Sequence, residues 1–146
     1  MKLSTRARYG LRAMFELALS YEKGPVLMQT IAENQELSLK YLHALLTTLK
    51  GAGLVRSVRG ARGGYMLTKP PSEIRIGEVV MVLEGSLSPV ECVNDRRICK
   101  RAESCVTRGV WRELGEVVER TLSGLTLDDL IARMKKKDTA PQMYHI

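Results

Sequence analysis

Cys92, Cys99 and Cys105 are the only cysteines of the chain and fall within fourteen residues. Cysteines used as small core residues would scatter along an apolar periodicity, so crowding into one polar segment points to chemistry. An odd number argues against a closed disulfide framework. Thiolates are the ligands of iron–sulfur clusters, and three of the usual four positions are present. Arg96, Arg97, Lys100 and Arg101 lie between them, and their charge favours thiolates and offsets an anionic cluster. Structural zinc sites usually hold a close cysteine pair and four ligands, and neither is seen here. On spacing alone a cluster, zinc, a thiol redox switch and three unligated cysteines all remain open.

A second group of residues suggests a different chemistry. Arg56, Arg59 and Arg62 sit among Gly60, Gly63 and Gly64 within nine residues. Glycine lets a backbone come close to a groove wall, and arginine suits the negative potential of a narrow minor groove. A nucleotide-phosphate loop would leave a strand and open a helix, whereas this turn leads into a second strand, 65–68. The plain alternative is an ordinary exposed hairpin.

Upstream, Ser38 is a suitable N-cap for a helix over 39–50, with Leu42, Leu45, Leu46 and Leu49 on its inner face. Ser38, Lys40, Tyr41 and His43 stand at its start, where side chains can reach base edges or phosphates. His43 can equally be a surface histidine without a special role. A shorter helix over 28–34 precedes it, and a strand over 54–58 follows. Two short helices, a tight turn and a two-stranded hairpin make a winged helix-turn-helix, whose second helix enters the major groove.

The rest of the chain must position these groups. A helix over 5–21, capped by Ser4, carries an apolar stripe of Ala7, Leu11, Met14, Ala18 and Tyr21. Further helices are expected over 76–83, 106–122 and 125–134, the last capped at Thr126. The long helix gathers Val106, Val110, Leu114, Val117, Val118 and Leu122 on one side, a face that one small wing domain would struggle to cover. Packing within the same chain is the alternative. The fold expected is mainly α with a small β-hairpin: a winged helix-turn-helix over 1–84, a cysteine-bearing loop over 85–105, a dimerisation helix and final helix over 106–134, and a flexible tail over 135–146.

Charge agrees with this division. Of 23 Lys and Arg, 11 lie in residues 1–69, against 4 of the 16 Asp and Glu, so the net charge of +7 belongs to the first half. A one-sided basic field is what a polyanion surface requires. No run approaches the ~18 apolar residues of a membrane span, and the basic start lacks the apolar stretch of a secretory signal. The chain is therefore read as cytosolic. No nucleotide fingerprint or nucleophile–base constellation is evident, and neither His43 nor His145 is placed as a catalytic base. An enzyme is not expected.

Several motifs together resemble the IscR/NsrR-type iron–sulfur regulator family. They are Met1-Lys2-Leu3-Ser4-Thr5 with Arg8-Tyr9-Gly10-Leu11, Ser38-Leu39-Lys40-Tyr41-Leu42, Gly53-Leu54-Val55 through Ser57-Val58-Arg59-Gly60, Gly63-Gly64-Tyr65, Gly77-Glu78-Val79-Val80, and the cysteines through Trp111-Arg112. The resemblance covers roughly residues 1–134. It implies a homodimer in which the long helix packs on its partner copy through Val110, Leu114, Val117, Val118 and Leu122. It also implies wings on double-stranded DNA and a pseudo-palindromic operator with half-sites roughly 10 base pairs apart. The cofactor implied is a 2Fe-2S or 4Fe-4S cluster on Cys92, Cys99 and Cys105.

Two departures matter. Arg108 stands where IscR-like members place a ligating histidine, and Arg8 where NsrR-like members place an acidic ligand from the partner subunit. A guanidinium stays protonated and is no ordinary ligand. Glu91, Asp95, Glu103, His43 or a small molecule are left as fourth donors. The function expected is a repressor or dual regulator whose operator affinity follows cluster status, redox or nitric oxide. The alternative is a cluster-free regulator of the same fold responding to a small molecule or to thiol oxidation.

Overall fold

The computed structural model describes residues 1–140. Helix α1, Thr5–Leu19, begins where the Ser4 hydroxyl accepts the Ala7 N–H at 3.2 Å. It ends two residues short of the expected Tyr21, which instead lies in a single 3₁₀ turn, Tyr21–Lys23, stopped by Gly24 at φ 104°. Helix α2, Met28–Gln35, closes on Glu36 at φ 54°, and the Leu37 N–H returns to the Ala32 carbonyl at 2.9 Å. Helix α3, Leu39–Gly51, starts under the Ser38 cap, which accepts the Tyr41 N–H at 3.2 Å.

Strands β1, Val55–Val58, and β2, Gly64–Leu67, form an antiparallel hairpin with Val55 opposite Leu67 and Val58 opposite Gly64. Val26 pairs with Tyr65 on the other edge of β2, which ties the hairpin to the segment before α2. Helix α4, Ile76–Glu84, α5, Glu91–Asn94, α6, Val106–Ser123, and α7, Leu127–Thr139, complete the described chain.

One aliphatic core joins the elements: Met14 and Leu17 of α1, Ile31 of α2, Leu42, Leu45, Leu46 and Leu49 of α3, Leu67 of β2, and Val79 and Val80 of α4. Leu127, at the start of α7, joins the same core through a short backbone stitch, Ile76 N–H to Leu125 O and Leu127 N–H to Ile74 O. Helix α1 packs on α4 at Gly10, where a Cβ would collide with the side chain of the buried Leu83.

Two expectations change. Helix α7 continues to Thr139, so 135–139 are helical rather than tail. Its start is fixed by a capping box between Thr126 and Asp129, and Lys136 and Lys137 suit the negative end of its dipole. The bonds from the Thr126 N–H and hydroxyl hold the Asp129 carboxyl below the usual range. The rest of the expected tail, with His145, lies outside the described residues. The apolar side of α6 is also divided. Val118 and Leu122 pack half-buried against this chain's own core, whereas Val110, Leu114 and Val117 stay 56%, 40% and 51% exposed.

Gly10→Ala should lower stability by about 1–3 kcal/mol through overpacking against Leu83. Urea unfolding checks this, and Leu83→Ala in the same chain should cost less than it does alone. Additive losses would place the clash elsewhere.

Candidate nucleic-acid interface and cysteine loop

The start of α3 is solvent-facing because its leucines take the inner side. Ser38, Lys40 and His43 are exposed. Tyr41 differs from the sequence expectation in its engagement: it is half-buried, and its phenol donates to Thr5 Oγ1 at 3.4 Å. Its ring meets Tyr9 edge-on, with centroids 6.1 Å apart. Tyr41 thus anchors α3 to α1. At the other end of the helix, the Lys50 ammonium donates to Ser57 Oγ of β1 at 2.9 Å, and Arg6 reaches Thr48 at 3.4 Å.

At the hairpin tip, Arg56, Arg59 and Arg62 are all exposed. None of them is in an ion pair among the described residues. Gly63 and Gly64 are required here, since a Cβ would strike the Val58 carbonyl at one and the Val26 carbonyl at the other. The turn between α2 and α3 is braced from α1. Arg12 Nε donates to Gln35 Oε1, and Nη2 to the Gln35 carbonyl, each at 2.9 Å. Glu16 accepts from Asn34 at 2.6 Å and from Gln35 at 2.8 Å.

These braces escaped the reading of the sequence. The only signal for them was the spacing of Arg12 and Glu16, one helical turn apart and so on one face. The same holds for Ser4, whose amide and hydroxyl donate to the Glu84 carboxylate at 3.1 and 2.5 Å. That contact joins the N-terminus of α1 to the last residue before the cysteine-bearing segment.

Cys92 lies on the single turn of α5, Cys99 follows the 3₁₀ turn Arg96–Ile98, and Cys105 precedes α6. All three are free and half-exposed. In this arrangement the described residues contain no group of three or more His, Cys, Asp and Glu side chains able to hold a metal ion. The Cys105 thiol is lowered chiefly by the Thr107 hydroxyl, 3.3 Å away, and also by the Arg108 N–H and the Arg101 charge. Arg108 acts as a brace: Nε donates to the Cys92 carbonyl at 2.8 Å and Nη2 to the Val93 carbonyl at 3.1 Å. Of the fourth donors named from sequence, Asp95 is engaged by Arg97 through two side-chain bonds at 3.0 Å, which hold its carboxyl below the usual range. Arg8 is exposed on α1 beside the Tyr9 ring.

A capped helix with polar residues at its open end, set beside an arginine-tipped hairpin, defines a winged helix-turn-helix of the DNA-binding kind. A family model described as "Rrf2: Iron-dependent Transcriptional regulator" matches residues 3–133. The chain belongs to the Rrf2 family and is a transcriptional regulator. It is 40% identical over 144 residues to the HTH-type transcriptional regulator CymR of Bacillus subtilis (strain 168), covering 99% of each chain. Among solved structures it resembles T. potens IscR, with TM-score 0.80, 39% identity and 96% and 93% of the two chains covered. It also resembles CymR, "the Global Cysteine Regulator of B. subtilis", with TM-score 0.76, 41% identity and coverage of 91% and 98%. No described helix is long and apolar enough to cross a membrane.

In metal-free protein, alkylation of Cys105 should rise with pH through a midpoint below that of an ordinary thiol. A lowered pKa populates the thiolate at lower pH, so Thr107→Val should move that midpoint upward. Peptide-resolved iodoacetamide kinetics would show it, and an unmoved midpoint would remove Thr107 as the cause.

Proposed function

We propose that the chain is a homodimeric repressor that reads a pseudo-palindromic operator and adjusts its grip through an iron–sulfur cluster. The observation that carries the DNA reading is the set of exposed cations on one unit. Arg56, Arg59 and Arg62 have no acidic partner among the described residues, and Lys40 stands at the open start of α3. Ser38, Lys40 and His43 meet the major groove or its phosphates, and the arginines enter the flanking groove. Tyr41 lies at the same surface and sets the angle of the helix through Thr5. Val110, Leu114 and Val117 of α6 meet their copies in the partner, since a stripe of exposed aliphatics is disfavoured in water. Val118 and Leu122 back that stripe from the core side.

Cys92, Cys99 and Cys105 would hold the cluster, and three thiolates in a basic segment suit it. Bound there, it would supply reactivity toward oxygen or nitric oxide. No fourth protein ligand is proposed, because Arg108 already holds the Cys92 and Val93 carbonyls. Gathering the thiolates would redraw a segment of which only Leu87 and Ala102 are buried core side chains. The segment leaves α4 at Glu84, which is bonded to Ser4, so its rearrangement bears on α1 and the head. A coupling of about 1–3 kcal/mol is ordinary for such a switch.

Two observations favour a second reading, a regulator that responds through thiol oxidation without a cluster. The three sulfurs are not gathered, and the Cys105 thiol is lowered in the free chain.

Protein purified without oxygen should show cluster absorption with bound iron and sulfide, and Cys92→Ala should remove both and change operator affinity. Colourless protein that still binds its operator and loses affinity on mild oxidation would favour the second reading. Arg59→Ala should weaken binding and flatten the salt dependence by about one unit of slope; an unchanged slope removes Arg59 from the interface. Leu114→Glu should yield a monomer by light scattering, and a persistent dimer would place the interface elsewhere.

A further inference from the structure

Lys40, Ala44 and Thr47 follow one another along α3 at steps of four and three residues, and so share one face of the helix. His43 flanks that line, and all four are exposed, while the buried Leu42, Leu45, Leu46 and Leu49 take the opposite side. The helix contains no Asp, Glu, Asn, Gln or Arg. Those are the side chains that pair with cytosine, adenine or guanine edges in the major groove. Its hydroxyls are engaged within the chain: Thr47 Oγ1 donates to the His43 carbonyl at 2.8 Å, Thr48 Oγ1 to the Ala44 carbonyl at 3.2 Å, and the Tyr41 phenol to Thr5. Lys40 and His43 are left as polar readers near the start of the helix, and the middle of its outward face is apolar.

We propose that Ala44 and Thr47 determine operator specificity by reading the C5-methyl groups of thymines, which rests on the DNA-binding function proposed above. Thymine presents that methyl in the major groove, and apolar contact from alanine or a threonine methyl recognises it. Ala44 offers only its Cβ, and its small size lets the helix approach the groove floor. Thr47 has its hydroxyl proton committed to the His43 carbonyl, so the methyl is the group it brings to a base without breaking a bond. From Lys40 to Thr47 the helix rises roughly 10 Å, about three base-pair steps. The cationic start and the apolar middle therefore fall on neighbouring pairs of one half-site.

Phosphate contact is the other use of such a face, but it needs donors, and neither Ala44 nor the back-bonded Thr47 supplies one. The cations suited to phosphates lie at the edges instead: Lys50 beside Ser57 of β1, and Arg56, Arg59 and Arg62 on the hairpin. The face belongs to α3, whereas the residues proposed to meet the second copy, Val110, Leu114 and Val117, lie on α6. Taking one methyl-sized group out of water changes affinity about fourfold. Two such contacts in each half-site of a dimer together reach about two hundredfold, enough to mark a site.

Selection of duplexes from a randomised pool by the full chain, purified without oxygen, supplies the site for the test. Each thymine of that site is then replaced singly by deoxyuridine, which removes the methyl and keeps the base pair. Affinity should fall about fourfold at one or two positions of each half-site and hold at the others. This series uses the unaltered chain, so it does not depend on how a variant folds. Thr47→Ser keeps the hydroxyl and removes the methyl; it should weaken the thymine duplex about fourfold, and deoxyuridine at its position should then cost nothing further. Ala44→Gln should abolish the thymine preference beneath it, since an amide favours adenine. A selected site indifferent to deoxyuridine throughout, or deoxyuridine losses that neither substitution alters, overturns the proposal and leaves a sequence-specific DNA-binding protein. A chain that selects no sequence at all overturns the DNA-binding function and the methyl contacts together.

Discussion

Because position 10 has no side chain, α1 can lie directly on Leu83 of α4, and the parts of the molecule that face outward depend on that helix. From α1, Thr5 accepts the Tyr41 phenol, Arg12 holds Gln35, Glu16 holds Asn34 and Gln35, and Ser4 holds Glu84. Each such bond contributes about 0.5–1.5 kcal/mol net, less where exposed. Their value lies in direction: they fix the two ends of the α2–α3 turn and the root of the cysteine segment against one rigid element. A bulkier residue at Gly10 would shift α1 and carry every one of these attachments with it.

The local elements were legible in the sequence, and the long-range attachments were not. Ser38 as a cap and the four inner leucines of α3 follow from spacing within a few turns. Gly63 and Gly64 in the hairpin follow from turn chemistry. The contacts between Ser4 and Glu84 or Arg12 and Gln35 join residues far apart in the chain, and no local pattern encodes which charged side chain finds which partner. Helix α6 shows the limit of periodicity. The pattern correctly gathered its apolar residues, but it could not say that Val118 and Leu122 are covered by the same chain while Leu114 and Val117 are not. The extension of α7 was missed because the run Lys135-Lys136-Lys137-Asp138 reads as a solvated tail, although lysine is a good helix former and suits a helix C-terminus.

At the cysteine segment the count and the spacing are legible in the chain, and the structure adds the setting. Arg108 spans from α6 back to the α5 turn and occupies two carbonyls. The residue that departs from the family resemblance is thus a brace for the loop. The three sulfurs share one exposed segment without forming a ligand set in this arrangement. Such a segment can change shape at little cost to the core, because it contributes little to it. Family membership and the helix-turn-helix geometry agree on a regulator.

The recognition helix is fastened at both ends, by Tyr41 to α1 and by Lys50 to the hairpin. On the proposed dimer, each reading head is therefore a stiff stencil with little freedom to follow an irregular duplex. The mismatch must be absorbed by the nucleic acid, chiefly in the base pairs between half-sites, where twist and bending stiffness depend on sequence. Spacer composition then governs affinity at positions that no side chain touches.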